Sequence, residues 1–121
     1  MCTRILLADH DDEALTGLAN LLEGMGYEVA PARTREETLD AVARYSPDVV
    51  IVECGMPGMD ISGTGRELRA RSAGHPLLLI ALTGWGQPQQ RDLMLAAGFD
   101  VHLVKPVSVD ELRFVLSLTD A

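Results

Sequence analysis

The stretch VVIVECGMPGMD, residues 49–60, indicates a buried strand that carries a carboxylate into a loop. Four β-branched residues lead directly into Glu53, and the segment after it contains glycine and proline and ends at Asp60. An uninterrupted apolar run of this kind is typical of a parallel strand that is covered on both faces. The stretch therefore raises the question of whether Glu53 is a reactive group or stands where a different acid is needed.

Four other strand-like runs alternate with amphipathic helical segments along the chain. We predict the five strands at residues 5–8, 27–30, 48–52, 77–82 and 101–104. Capping-box spacing of Thr34 with Glu37, and of Ser108 with Glu111, predicts the starts of the second and fifth helices. The third helix is predicted only near residues 65–72, because the preceding SGTG is poor helix material. The alternation predicts a single α/β domain over residues 1–121, with a doubly wound parallel sheet and its site at the carboxyl ends of the strands.

Composition excludes several classes of function. A net charge of −8 argues against direct binding to nucleic acid, which needs a basic surface. No apolar run approaches the roughly 20 residues that cross a bilayer, and the amino terminus has no signal-peptide pattern. We therefore expect a cytoplasmic protein without membrane contact. Cys2 and Cys54 are too few for a disulfide framework, and we interpret both as small, reduced, apolar residues.

Polar side chains follow four of the predicted strands. Asp9 and His10 follow the first strand, Glu53 the third, Thr83 the fourth and Lys105 the fifth. Two acids, a hydroxyl and a lysine at one edge of a sheet favour a phosphate or metal site. A nucleotide or flavin site is the competing interpretation. The first turn argues against it, because that turn is acidic and lacks glycine, so it would repel a phosphate.

The chain resembles the receiver domains of two-component response regulators and hybrid sensor kinases over essentially its whole length. The resemblance is carried by ILLADHDDEAL, VVIVECGMPGMD and ALTGWGQPQQRDLMLAAGFDVHLVKPV. It implies a flavodoxin-like five-stranded parallel sheet of order 2-1-3-4-5, with helices on both faces. It also implies phosphoryl transfer from a histidine kinase to an aspartate with the help of Mg²⁺.

Three site positions match the family's pattern. Asp9 corresponds to the first residue of the acid pair, Thr83 to the hydroxyl residue and Lys105 to the lysine. In the family the bond between this lysine and the following proline, here Pro106, is cis. The resemblance also implies that His102 occupies the position where many relatives carry an aromatic switch residue. The alternative interpretation is a partly exposed surface histidine without a switch role.

Two central positions depart from the pattern. His10 stands where the second acid, a direct magnesium ligand, is expected, and Glu53 stands where the phosphoacceptor aspartate is expected. Glutamate adds a methylene, roughly 1.5 Å of bond length, and a misplacement of about 1 Å can cost on the order of 100-fold in rate. An imidazole in place of a carboxylate removes a hard oxygen ligand. Any Mg²⁺ held by Asp9, Glu53 and the backbone carbonyl of Gly55 should therefore be bound weakly.

These departures predict a receiver that is not an enzyme, is impaired in phosphorylation and acts through contacts with proteins. The longer Glu53 side chain is expected to reach towards Thr83 and Lys105, and a permanent pair with Lys105 would hold the pocket in one state. The alternatives are a weakly phosphorylatable receiver, a site altered by engineering, and a flavodoxin-like binder of a small ligand.

The resemblance also indicates where partners would bind. In the family, the fourth helix, fifth strand and fifth helix form the output face, and this chain could also form a homodimer there. A histidine kinase, a phosphotransfer domain or an output domain is the expected partner. Trp85, between two glycines in the loop after the fourth strand, is a candidate anchor for a partner because tryptophan is enriched at interface hot spots. The alternative is that it simply caps the edge of the sheet.

Overall fold

The computed structural model describes residues 3–56, 58, 60–72, 74–84 and 88–119, and only the backbone of residues 61, 88–91 and 119. Trp85, the candidate partner anchor, lies outside the described residues. The strands are β1 Arg4–Ala8, β2 Glu28–Ala32, β3 Val49–Glu53, β4 Leu78–Thr83 and β5 Val101–Val104. The helices are α1 Asp12–Gly24, α2 Arg35–Tyr45, α3 Ile61–Arg71, α4 Pro88–Ala96 and α5 Val109–Leu116, followed by a 3₁₀ turn at Ser117–Thr119. Within the described residues, no helix is both long and apolar enough to cross a membrane.

The five strands form one sheet in the order β2-β1-β3-β4-β5, and all four pairings are parallel. This confirms the predicted topology. Successive residues of β1 and β3 point to opposite faces, so Leu6 and Val50 belong to one apolar cluster while Leu7 and Ile51 belong to the other. Helices α2, α3 and α4 complete the first cluster, and α1 and α5 complete the second. All five residues of β3 are buried, which places Glu53 at the end of a fully enclosed strand.

The edge strand β2 differs from the prediction. It begins at Glu28 and continues to Ala32, two residues beyond the predicted end, and includes Pro31. The prediction was wrong at this end because proline removes a ladder donor. An edge strand tolerates that loss, since one side of its backbone has no neighbouring strand.

Helix α3 also differs from the prediction, since it begins at Ile61 rather than near residue 65. Asp60 caps it, and its carboxylate accepts a hydrogen bond from the backbone N–H of Gly63 at 3.3 Å. Gly65 is buried, and a Cβ atom there would meet the backbone oxygen of Ala97 and, at 3.1 Å, the ring of Phe99. Glycine weakens an isolated helix, but here it allows α3 to lie against the segment that follows α4.

The two predicted helix starts are confirmed. The Thr34 hydroxyl accepts a hydrogen bond from the backbone N–H of Glu37 at 3.0 Å, while the Glu37 carboxylate accepts from the backbone N–H of Arg33. Ser108 and Glu111 form a complete capping box, with bonds of 3.0 and 3.1 Å in the two directions. The capped α2 and α5 fix the loops that follow β2 and β5 at the carboxyl edge of the sheet.

Candidate functional site

The carboxyl ends of four strands place the predicted side chains together. Asp9 follows β1, Glu53 ends β3, Thr83 ends β4 and Lys105 follows β5. The pairing register aligns these ends, because Ala8 lies beside Val52, Glu53 beside Leu82 and Thr83 beside Val104. Three of the four polar residues are buried at the edge, with relative exposures of 5% for Asp9, 7% for Glu53 and 6% for Thr83. The predicted convergence at one edge is therefore present.

Asp9 is held by contacts to both of its carboxylate oxygens. Its Oδ1 accepts a hydrogen bond from the backbone N–H of Asp11 at 3.0 Å and lies 3.7 Å from His10 Nδ1. Its Oδ2 accepts from the ammonium of Lys105 at 3.3 Å. Asp9 thus connects the first and last strand ends of the site.

Glu53 has one partnered oxygen and one without a hydrogen bond. Its Oε1 accepts from the backbone N–H of Gly55 at 2.8 Å. Its Oε2 is buried, has no hydrogen-bond partner within the described part of the chain and lies 3.4 Å from His10 Nδ1. A buried carboxylate oxygen without a hydrogen bond is costly, so this atom needs a partner.

The expected pair of Glu53 with Lys105 is wrong for this structure. Among the described ion pairs, Lys105 contacts Asp9, and Glu53 contacts His10 instead. The reason is the tight turn after β3, which brings the amide of Gly55 within hydrogen-bond distance of the carboxylate and holds it there. The predicted role of the Gly55 carbonyl as a metal ligand stays a prediction, since the described contact is made by the amide.

Thr83 and His102 are joined in a way that we did not predict. The Thr83 hydroxyl lies 3.0 Å from His102 Nε2, and the donor depends on the imidazole tautomer. The register explains the contact: His102 pairs with Ala81, which lies on the same face of β4 as Thr83, so the two side chains are diagonal neighbours. The contact could have been predicted from the sequence, because the alternation of residues along β4 and β5 and the order of the strands place Thr83 and His102 on one face. The contact links the hydroxyl position of the site to the predicted switch position.

Cys54 lies beside the site, but its thiol has a low reactivity. Burial, with the nearby charge of Glu53 acting in the same direction, raises the pKa of the Cys54 thiol to about 12. The thiolate is the reactive form of cysteine, so this thiol is protonated and unreactive at neutral pH. The side chain packs against the apolar cluster of the sheet instead, as the sequence predicted.

Asp9, His10 and Glu53 are the group that could hold a cation in the described residues. Each offers one ligand atom, and the three atoms lie within 4.8 Å of one another. Mg²⁺ prefers six oxygen ligands in near-octahedral geometry. The imidazole nitrogen takes the place of one carboxylate oxygen, so the donor set fits Mg²⁺ poorly.

The sheet order and the acid, hydroxyl and lysine at its carboxyl edge define a class: an α/β signalling domain of the two-component type. The family model for the response regulator receiver domain matches residues 5–117, and the chain belongs to this family. The confirmed cis bond between Lys105 and Pro106 agrees with that membership.

Curated relatives extend the comparison to whole response regulators. "Response regulator MprA" of Mycobacterium sp. (strain KMS) is 36% identical over 112 residues, which cover 93% of this chain and 48% of the relative. The protein of the same name from Mycobacterium leprae is 36% identical over 109 residues, 90% of this chain and 47% of the relative. The chain therefore spans about half the length of the curated relatives that it matches.

Solved structures of receiver domains superpose closely on the chain. A CheY-like receiver domain protein from Methanospirillum hungatei JF-1 has a TM-score of 0.88 at 26% identity, covering 99% of this chain and 95% of that one. The receiver domain of a sensor histidine kinase from Pseudomonas aeruginosa PAO1 has a TM-score of 0.86 at 26% identity, with complete coverage of both chains. In that structure a magnesium ion is coordinated in the active site cleft.

Proposed function

We propose that this receiver domain does not cycle by phosphorylation and works, without catalysing a reaction, as a module that binds protein partners of a two-component pathway. The observation that carries the proposal is the position of Glu53. It occupies the acceptor position at the end of β3, where its carboxylate is held between the amide of Gly55 and the ring of His10. Glu53 thus occupies the phosphoacceptor position but does not act as the nucleophile.

The geometry of Glu53 supports this proposal. Phosphoryl transfer depends on an in-line approach of the nucleophile and on neutralisation of charge at the transferring oxygens. One Glu53 oxygen is engaged by Gly55, and the other is buried and lies 3.4 Å from His10 Nδ1. An attacking oxygen would have to leave this arrangement, and the extra methylene would still displace it from the position of an aspartate oxygen. A misplacement of about 1 Å can cost on the order of 100-fold in rate.

The charges of the pocket support the proposal in the same direction. The pocket carries one net negative charge, from the carboxylates of Asp9 and Glu53 and the ammonium of Lys105. The ammonium lies close enough to count, at 3.3 Å from Asp9. A carboxylate at position 10 would add a second negative charge and a hard oxygen ligand. Without it, Mg²⁺ has less attraction and a less suitable donor set in this pocket.

The surface of α4, β5 and α5 supports a role in binding proteins. It exposes several large apolar side chains, among them Phe114 at 71% and Leu93 at 49% relative exposure. Val104 on β5 and Val109 at the start of α5 are also exposed. Exposed apolar side chains that form a large patch mark sites of protein association, so we propose that a partner covers these elements. A histidine kinase, a phosphotransfer domain or an output domain is the partner we propose, and a second copy of the chain is the alternative occupant.

The direct test of the proposal is a phosphorylation assay. The protein is incubated with a small phosphodonor and Mg²⁺, and its intact mass is followed over time. We expect no added phosphoryl group, because the nucleophile is misplaced and the ion that would neutralise the donor is poorly held. A conventional receiver in the same reaction serves as the positive control. A labile phosphoryl group on Glu53 would contradict the proposal and favour the weakly phosphorylatable alternative.

Mg²⁺ alone should have little effect on stability. A ligand stabilises the folded state by RT ln(1 + [L]/Kd), so a weak site at about 5 mM Mg²⁺ shifts the melting temperature by less than about 2 °C. The measurement is thermal unfolding followed by far-UV circular dichroism, with NaCl at matched ionic strength as the control. A rise of several degrees specific to Mg²⁺ would mean that His10 has not disabled the site.

A further inference from the structure

His10 directs one imidazole nitrogen at two carboxylates. Its Nδ1 lies 3.4 Å from Glu53 Oε2 and 3.7 Å from Asp9 Oδ1. An ion bound tetrahedrally with bonds of about 2.0–2.1 Å holds its ligand atoms about 3.3–3.4 Å apart. The two measured separations are close to that spacing. All three ligand atoms lie within 4.8 Å of one another, so a transition-metal ion could enter as the side chains adjust around it.

The unpartnered oxygen of Glu53 points independently to a ligand at this place. The Glu53 side chain is only 9% exposed, and Oε2 has no hydrogen-bond partner within the described residues. This oxygen faces the same nitrogen that faces Asp9. A cation between the three atoms would give Oε2 the partner that the protein does not supply.

The remaining contacts of the two carboxylates would orient them towards such an ion. Gly55 engages the other oxygen of Glu53, Lys105 engages Oδ2 of Asp9, and the amide of Asp11 fixes Oδ1. Contacts of this kind, made to ligands rather than to the metal, set ligand orientation and affinity in metal sites. Each carboxylate is thus left with one oxygen directed at His10.

We propose that Asp9, His10 and Glu53 form a binding site for a borderline transition-metal ion of the zinc class, in preference to Mg²⁺. Imidazole nitrogen suits zinc, copper, nickel and iron, whereas magnesium is held by carboxylates, carbonyls and water. The replacement that weakens the Mg²⁺ donor set therefore improves the donor set for another class of metal. The inference concerns the same pocket as the proposed function but does not depend on it, because metal binding is measured without a phosphodonor.

The test compares Zn²⁺ and Mg²⁺ by isothermal titration calorimetry of the chelator-treated chain of 121 residues. We expect one Zn²⁺ per chain, bound at least about tenfold more tightly than Mg²⁺. The variant His10→Ala should lose on the order of 10–100-fold in Zn²⁺ affinity. His10 has a half-exposed side chain, and circular dichroism verifies that the variant is folded.

A matched control is available at the opposite edge of the sheet. His75 lies 3.2 Å from Asp48 and is also an exposed histidine beside a carboxylate. His75→Ala should bind Zn²⁺ as the unmodified protein does, because the amino-terminal edge offers one carboxylate contact to this histidine rather than two. A second variant, His10→Asp, should raise the affinity for Mg²⁺ and reduce the preference for Zn²⁺ over Mg²⁺.

Three results would overturn the inference. They are Zn²⁺ binding no tighter than Mg²⁺, equal Zn²⁺ affinity in His10→Ala and the unmodified protein, or loss of binding in His75→Ala. The first result would mean that the imidazole of His10 gives the pocket no preference for a transition metal over Mg²⁺. The titrations contain no phosphodonor and the phosphorylation assay contains no Zn²⁺, so the metal site and the proposed function can fail separately.

Discussion

The variant that combines His10→Asp with Glu53→Asp is expected to form an acyl phosphate when it is incubated with a small phosphodonor and Mg²⁺. In the double variant the carboxylate at position 53 is one methylene shorter. It is therefore withdrawn from the place beside Gly55 and His10 that the Glu53 carboxylate occupies. The new carboxylate at position 10 supplies the missing oxygen ligand. Intact mass over time, with loss of the added group in hydroxylamine, measures the product. At equal reaction time we expect on the order of 100-fold more acyl phosphate than from the unmodified protein.

The two single variants separate the contributions of geometry and metal. Glu53→Asp should recover part of the reaction, because the nucleophile is in place but the ion lacks a ligand. His10→Asp should bind Mg²⁺ more tightly and still form little acyl phosphate, because the longer acid remains. If the unmodified protein is phosphorylated as readily as the double variant, the impairment does not exist and the chain is an ordinary receiver.

The order of the sheet and the identity of the site residues could be predicted from the sequence, because both depend on patterns that are local in the chain. The buried run ending at Glu53 and the polar residues after the other strands are visible as letters, and the parallel topology brings them to one edge. The departures at His10 and Glu53 are also a matter of residue type. Chemistry that follows from residue type alone could therefore be predicted from the sequence.

Side-chain orientation at the site could not be predicted in this way. The pairing of Glu53 with Lys105 was a reasonable expectation from charge, but Lys105 contacts Asp9 and the Gly55 amide holds Glu53. The competing arrangements exchange one carboxylate partner of the Lys105 ammonium for another, so charge alone does not distinguish them. Backbone geometry in the turn after β3 decides between them, and no local sequence pattern specifies it.

The start of α3 was mispredicted for a different reason, since intrinsic propensity and tertiary packing oppose each other there. Two glycines within residues 62–65 argue against a helix, yet the helix begins at Ile61. Buried Thr64 accepts a hydrogen bond from Arg35 of α2 at 3.0 Å, and Gly65 lies against Ala97. Contacts with two other parts of the chain therefore compensate for weak local propensity.

This conflict predicts opposite effects of one substitution at two helical glycines. Gly17 lies exposed within α1, and a Cβ there would meet nothing within 4 Å. Gly17→Ala should raise the free energy of unfolding by about 0.5–1 kcal/mol, the ordinary gain of alanine over glycine in a helix. Gly65→Ala would gain the same propensity, but its methyl group would meet the backbone oxygen of Ala97 and, at 3.1 Å, the ring of Phe99.

Backbone cannot move aside as a flexible side chain can, so we expect the clash at Gly65 to outweigh the gain in propensity. Overpacking of this kind typically costs about 1–3 kcal/mol, which should lower the melting temperature by roughly 4 °C per kcal/mol. Urea unfolding followed by circular dichroism at 222 nm (the helical band) gives both free energies, with Gly17→Ala as the matched control. If Gly65→Ala stabilises the protein as Gly17→Ala does, α3 does not depend on close approach to the end of α4. Its early start would then have to come from the Asp60 cap alone.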